Sequence, residues 1–205
     1  MFDFALLLAF LPTVFFVSVT PGLCMTLAMT LGMRIGVRRT LWMMYGELIG
    51  VAIVATASAM GVASVMKNYP EVFQVLKYFG ALYLIYMGWQ MWSAEAKLAD
   101  VDGVESLVKR RTLATQGFIT AIANPKGWVF MVSLLPPFIN VNKPIAIQMV
   151  GLITVITITE LCCMLAYASG GKGLRVFLGQ GENIKWMNRI AGLLMLAIAI
   201  WLVLG

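Results

Sequence analysis

The sequence has no histidine, few charges and only three cysteines. Without histidine, imidazole-activated nucleophiles, histidine metal ligands and imidazole proton relays are excluded. Charged residues make up 12% of the 205 positions, about half the roughly 25% usual in a soluble domain. Hydrophobic residues reach 61%. This balance places the chain among integral membrane proteins. Cys24, Cys162 and Cys163 all fall inside apolar segments, so neither a disulfide framework nor a CxxC metal site is indicated. The net charge is +6, but the basic residues sit in short loops between apolar segments. There they report orientation in a membrane and give no sign of nucleic acid as a partner.

Six segments are long and apolar enough to span a bilayer as helices: residues 4–31, 42–65, 72–92, 116–139, 145–168 and 187–204. The fold class is therefore all-α, with six transmembrane helices in the lipid bilayer. The first segment lacks a basic n-region and is too long for a signal h-region, so it reads as a retained helix. Eleven Lys and Arg residues lie on one side: Arg34, Arg38 and Arg39; Lys97, Lys109, Arg110 and Arg111; Lys172, Arg175, Lys185 and Arg189. The other side has three, Lys67, Lys77 and Lys143. By the positive-inside rule both termini lie outside the cytoplasm.

The polar linker 93–115 divides a single transmembrane domain into halves 1–92 and 116–205. Three helices per half force the second half to enter from the opposite side, which predicts two inverted three-helix repeats. Thr20-Pro21-Gly22 in the first helix and Asn124-Pro125-Lys126 in the fourth resemble each other locally. Their depths differ on this reading, with Pro21 late in its helix and Pro125 early.

The stretch QGFITAIANPKGWVFMVSLLPP, residues 116–137, carries the chemistry. Pro125 removes an amide donor and crowds the carbonyl of Ala121, so the helix should kink or break. In hydrocarbon a freed carbonyl must face protein or a water-filled cavity. Lys126 lies about ten residues into the segment, roughly 15 Å deep at 1.5 Å per residue. A lysine at that depth is costly and faces a pathway, snorkels, or closes a structural ion pair. Glu160 lies roughly 13 Å deep on the fifth helix by the same rise, where it could pair with Lys126. Glu47, about five residues past Trp42, is shallower and within reach of the cytoplasmic interface. A substrate carboxylate could be held by Lys126 with amides freed at the two breaks, around Thr20, Pro21, Gly22, Asn124 and Pro125. A substrate ammonium could meet Glu160, Glu47 or carbonyls near Val17 and Ala121. An acid that takes a proton on one side and releases it on the other, Glu160 or Glu47, would couple the cycle to a proton gradient.

Gly32 with Gly36 and Gly46 with Gly50 form GxxxG pairs, and Gly80 and Gly88 lie two turns apart; such pairs serve packing within one chain or a homodimer. Tyr83, Tyr86, Trp89 and Trp92 suit an interfacial belt. The fifteen methionines are adaptable packing residues.

These residues together resemble the lysine exporter (LysE-type) superfamily, in particular its homoserine/threonine efflux branch. The resemblance rests on Thr20-Pro21-Gly22, the Gly32–Arg39 loop, LKYFGALYLIYMGWQMW at 76–92, and QGFITAIANPKGWVFMVSLLPPFI at 116–139. It runs almost from end to end. It implies a bacterial inner-membrane protein of six helices that exports amino acids or close derivatives, driven by the proton gradient. Its motif residues correspond to Pro21, Gly22, Asn124, Pro125 and Lys126. One departure is Leu23, which stands where the family usually has a second proline, as in TPGP. Neither a cofactor, a resident metal nor a catalytic residue is implied. Two other classes stay open. Transport of another small solute such as a metal ion would prefer clustered carboxylates or thiolates, of which Cys162-Cys163 is the only trace. The other is a membrane-embedded enzyme or assembly factor; for an enzyme no nucleophile–base pair is recognisable without histidine, although Lys and Glu could serve.

Overall fold

The computed structural model describes residues 4–93, 109–135, 138–140, 143–179 and 181–204. The described residues are all-helical, with no strand. They form eight helices: α1 (Phe4–Val19), α2 (Leu23–Ile35), α3 (Val37–Asn68), α4 (Pro70–Ser93), α5 (Arg110–Ile122), α6 (Pro125–Leu134), α7 (Ile145–Gly179) and α8 (Gly181–Leu204). By length and apolarity Val37–Gly61 and Ile145–Gly171 can each cross a membrane. The pair Phe10–Val19 and Leu23–Ile35, bent by 57°, makes a third if it is one broken span. This criterion, applied to the described residues, accounts for two or three of the six crossings expected from sequence.

Helix ends differ from the sequence expectation in one systematic way. The second helix starts at Val37, not 42, and the fourth at Arg110, not 116. Both early turns are basic, Arg38-Arg39 and Arg110-Arg111. Long cationic side chains let a helix run out through the membrane boundary while their charges stay wet, so the onset of apolar residues marks the bilayer and not the helix. Part of the expected linker, from Arg110 on, is thus helix, and residues 94–108 with Lys97 lie outside the described residues.

Glycines set where the helices touch. A Cβ on Gly46 would strike the Ala114 carbonyl, and one on Gly117 the Met43 carbonyl, so α3 and α5 pack backbone to backbone. Gly32 of α2 meets Ala168 of α7 in the same way. Gly88 of α4 and Gly192 of α8 are reciprocal: a Cβ on either falls 2.9 or 2.7 Å from the other's carbonyl oxygen. Gly46, Gly50, Gly32 and Gly88 are therefore used for packing inside the chain. Gly36 differs, since it ends α2 at φ 79° with nothing near its Cβ position. It is a turn glycine, in a region of backbone space that side chains disfavour. Gly171, at φ 43°, likewise breaks the ladder of α7 beyond the apolar part of that helix.

The core has two apolar halves. One gathers Phe10 and Val14 of α1, Val54, Ala55 and Ala59 of α3, Leu84 of α4, Phe130 and Met131 of α6, and Leu152 and Ile156 of α7. Phe10 meets Phe138 edge to face, with ring centroids 4.8 Å apart. The other gathers Met25, Leu27, Ala28, Met29 and Leu31 of α2, Met43 and Met44 of α3, Leu113 of α5, and Cys163, Met164, Tyr167 and Ala168 of α7. Between the two clusters lie the α1–α2 and α5–α6 junctions, Glu47 of α3 and Glu160 of α7.

Candidate functional site

Two helix breaks lie at that middle level. At the first, Thr20-Pro21-Gly22 separates α1 from α2. Pro21 has no N–H to give the Val17 carbonyl. The Thr20 hydroxyl donates to the Phe16 carbonyl at 2.7 Å, and the Tyr167 hydroxyl of α7 donates to the Val19 carbonyl at 2.8 Å. Gly22 is the N-cap of α2, in extended conformation and without a side-chain cap. The bend forms with Leu23 in place of a second proline.

At the second break, α5 ends at Ile122 and α6 starts with Pro125. Proline suits a first helical position, where its fixed φ is already helical and its absent N–H costs nothing. Pro125 therefore opens a new helix and does not merely kink an old one. The Ala121 carbonyl accepts instead from the Asn124 amide at 3.3 Å. The Ile122 carbonyl accepts from the Trp128 indole N–H at 2.8 Å. Each break thus has a carbonyl satisfied by an aromatic side chain, which the sequence reading missed. For Val19 the partner is 148 residues away, and no local pattern marks it. Trp128, six residues from Ile122, could have been found from the NPKGW spacing.

A cavity with about 70 Å³ of water-accessible space lies between the breaks. That is room for several waters, since one needs roughly 10–15 Å³ on this measure. Its polar lining is Ser18, Thr20, Cys24, Glu47, Asn124 and Glu160, and its apolar walls include Val14, Val51, Val54, Phe130 and Ile156. Gly22 and Gly127 line it as well, so the N-terminal turns of α2 and α6 both border the space. The positive ends of two helix dipoles therefore face one polar chamber.

Glu47 is 1% exposed. This corrects the expectation that it could reach the cytoplasmic interface. Glu47 lies ten residues into α3, on the face turned to the chamber that Glu160 also lines. The Cys24 thiol hydrogen-bonds to the Glu47 carboxyl, and the Glu160 carboxyl acts on it electrostatically. Glu47 Oε2 is buried with no hydrogen-bond partner among the described residues. A buried acceptor left this way in a chamber of this size is suited to a bound donor or water.

Of the residues singled out from sequence, Thr20, Gly22, Asn124, Glu47 and Glu160 come together around this cavity. Pro21 sits in the first break. The side chains of Pro125 and Lys126 lie outside the described residues. Lys126 is nevertheless the second residue of α6, between the cavity-lining Asn124 and Gly127. Cys24 and Ser18 were not singled out for the site. A thiol and a hydroxyl in an apolar run carry no signal until the fold places them.

The aromatic partners of the breaks are testable. Tyr167→Phe and Trp128→Phe each strip a donor from a helix-end carbonyl, a loss of about 1–2 kcal/mol where no water replaces it. Each variant should lower the Tm of the detergent-purified protein by a few degrees and slow any transport through the adjoining chamber. Unchanged melting in both would mean that these carbonyls are satisfied otherwise.

Residues 15–205 match the family described as LysE type translocator. Among curated proteins, the chain is 25% identical over 190 residues to the homoserine/homoserine lactone efflux protein of Salmonella typhimurium, covering 93% of this chain and 92% of that one. It is 26% identical over 186 residues to the leucine efflux protein of Salmonella choleraesuis, with 90% and 88% covered. It is also 27% identical over 191 residues to an uncharacterized membrane protein of Vibrio cholerae, with 93% and 92% covered. No solved structure matches the chain significantly. The family and these names point to a membrane transporter and away from an enzyme, and with a match that spans nearly the whole sequence, the chain belongs to the LysE type translocator family.

Proposed function

We propose that the protein is a secondary transporter that exports small amino acids, or close derivatives, across a bacterial inner membrane in exchange for protons. The observation that carries this reading is the polar layer, with two carboxyls and two helix N-termini, held between two apolar half-cores. An α-amino acid brings an ammonium and a carboxylate to that layer. The ammonium is placed at Glu47, whose Oε2 is buried without a hydrogen-bond partner among the described residues. The carboxylate is placed at Lys126 and the amides of the Thr20-Pro21-Gly22 and Asn124-Pro125 breaks, where helix dipoles favour an anion. The apolar walls suit a short neutral side chain, in keeping with relatives whose names mention homoserine and leucine. Glu160, beside Glu47 and Cys163, is assigned the coupling proton.

Six crossings in two inverted repeats belong to the same proposal, with α1/α2, α3 and α4 matched to α5/α6, α7 and α8. Its support is packing between the halves: α3 lies on the α5/α6 pair, α7 lies on the α1/α2 pair, and α4 pairs with α8. The depth mismatch of the two prolines also shrinks. Pro21 is 17 residues beyond Phe4, and Pro125 is 15 beyond Arg110. Both termini are then outside the cytoplasm, as the loop charges require.

Proteoliposomes loaded with radiolabelled homoserine or leucine test the function. Efflux should exceed that of protein-free vesicles, and an imposed pH gradient of the antiport sense should speed it several-fold. Release at the protein-free rate for every amino acid tried would reject amino-acid export. Export that ignores the gradient would reject proton exchange alone.

A further inference from the structure

The start of α3 and the start of α5 border a second space, which shares no lining residue with the polar chamber. It is a cleft of about 990 Å³ lined by Arg38, Arg39, Leu41, Trp42, Tyr45 and Arg110. No acidic residue is among them. The Arg110 guanidinium stands 5.4 Å from the centroid of the Trp42 ring, a cation–π contact that fixes its direction. From the cleft an apolar row runs along α3. Leu41, Tyr45, Ile49 and Ile53 are spaced by four residues and between 40 and 61% exposed. Successive i, i+4 positions lie on one helix face, and the row is about 18 Å long at the helical rise.

We propose that this cleft holds the headgroup phosphate of an anionic glycerophospholipid, with one acyl chain lying along Leu41, Tyr45, Ile49 and Ile53. Arginine presents planar donors that match a phosphate in two-point contact. Tryptophan and tyrosine favour the depth at which headgroup meets chain. Basic pockets between helices at the cytoplasmic side are suited to anionic headgroups, and this is the side to which the loop charges assign the cleft. A free phosphate could use the arginines but has no use for the apolar row, which is why the lipid is the chosen source. The inference does not depend on what the transporter carries.

The experiment uses the full chain in a neutral detergent, titrated with dioleoyl-phosphatidylglycerol, dioleoyl-phosphatidylcholine or inorganic phosphate. Thermal unfolding and native mass spectrometry are the readouts. Phosphatidylglycerol should raise the Tm by several degrees, saturably, and stay bound in the gas phase. Phosphatidylcholine and inorganic phosphate should do neither. Arg38→Gln with Arg110→Gln should lose most of the shift. Arg34→Gln with Arg111→Gln, a pair of exposed arginines that do not line the cleft, removes the same charge and should keep it. An equal shift with phosphatidylcholine, the same shift with phosphate alone, or equal losses in the two double variants would each overturn the proposal. The comparison of ligands on the unaltered protein needs no variant, so it decides even if the first pair fails to fold.

Discussion

Glu47→Gln is expected to slow amino-acid efflux about ten- to a hundredfold while the protein inserts and melts normally. A hydrogen bond to a charged partner contributes about 1.5–3 kcal/mol, and each 1.4 kcal/mol is tenfold in an equilibrium constant. Glutamine keeps the shape of glutamate and can still meet the Cys24 thiol. What it lacks is the charge that an ammonium would face in a chamber walled by Val51, Val54 and Ile156. The loss should fall mainly on the apparent affinity for zwitterionic substrates, read as the concentration that half-saturates efflux. A Glu47→Gln protein that exports with unchanged affinity would remove Glu47 from the site and leave it a buried structural acid.

Lys126 and Glu160 carry the second large effect, and two accounts of them differ in outcome. If they formed only a structural ion pair, Lys126→Met would leave Glu160 unpaired, and Glu160→Gln would leave Lys126 so. Each single change would then lower stability by about 3–5 kcal/mol. The double variant would regain both folding and transport. On the present account Lys126 holds the substrate carboxylate and Glu160 the coupling proton. Lys126→Met should then abolish export in a protein that still folds. Glu160→Gln should leave any residual export indifferent to a pH gradient, because its side chain no longer titrates. The double variant should fold and not pump. Wild-type export by the double variant, still accelerated by the gradient, would return both residues to a structural role.

Much of this site was legible in the chain because proline and glycine report backbone geometry locally. Thr20-Pro21-Gly22 and Asn124-Pro125-Lys126 announced two interruptions, and both are breaks between helices. Glu160 stood out through its depth in an apolar run, and it lines the chamber, partly buried. Glu47 was misread because its position along an apolar run does not tell which way the side chain faces: it turns into the chamber and is buried. Hydropathy marks the bilayer boundary and so hid the start of α3 behind Arg38 and Arg39, and that of α5 behind Arg110 and Arg111, and with it the similar placing of the two breaks. Cys24 beside Glu47, and Tyr167 on the Val19 carbonyl, are contacts between distant segments. Nothing within a window of neighbouring residues encodes them.

The division of the core also bears on how such a site would open. Five of the twelve buried residues in the half-core around α2 are methionines: Met25, Met29, Met43, Met44 and Met164. Unbranched thioether chains repack with little strain, so this half is the softer boundary of the chamber. The other half, with Phe10 locked on Phe138, is built of stiffer side chains.

The central claim is that substrate occupies the polar layer between these halves, and the Cys24 thiol reports on it directly. Cys24 lines the chamber and touches Glu47. With Cys162 and Cys163 replaced by alanine, Cys24 is the single thiol in the chain. The measurement is its rate of modification by a small methanethiosulfonate in proteoliposomes, with and without saturating substrate from the efflux assay. Occupancy of the chamber should slow labelling several-fold for every exported amino acid and for none that is not exported. Labelling at the same rate with and without a transported amino acid would place the substrate elsewhere and contradict the account.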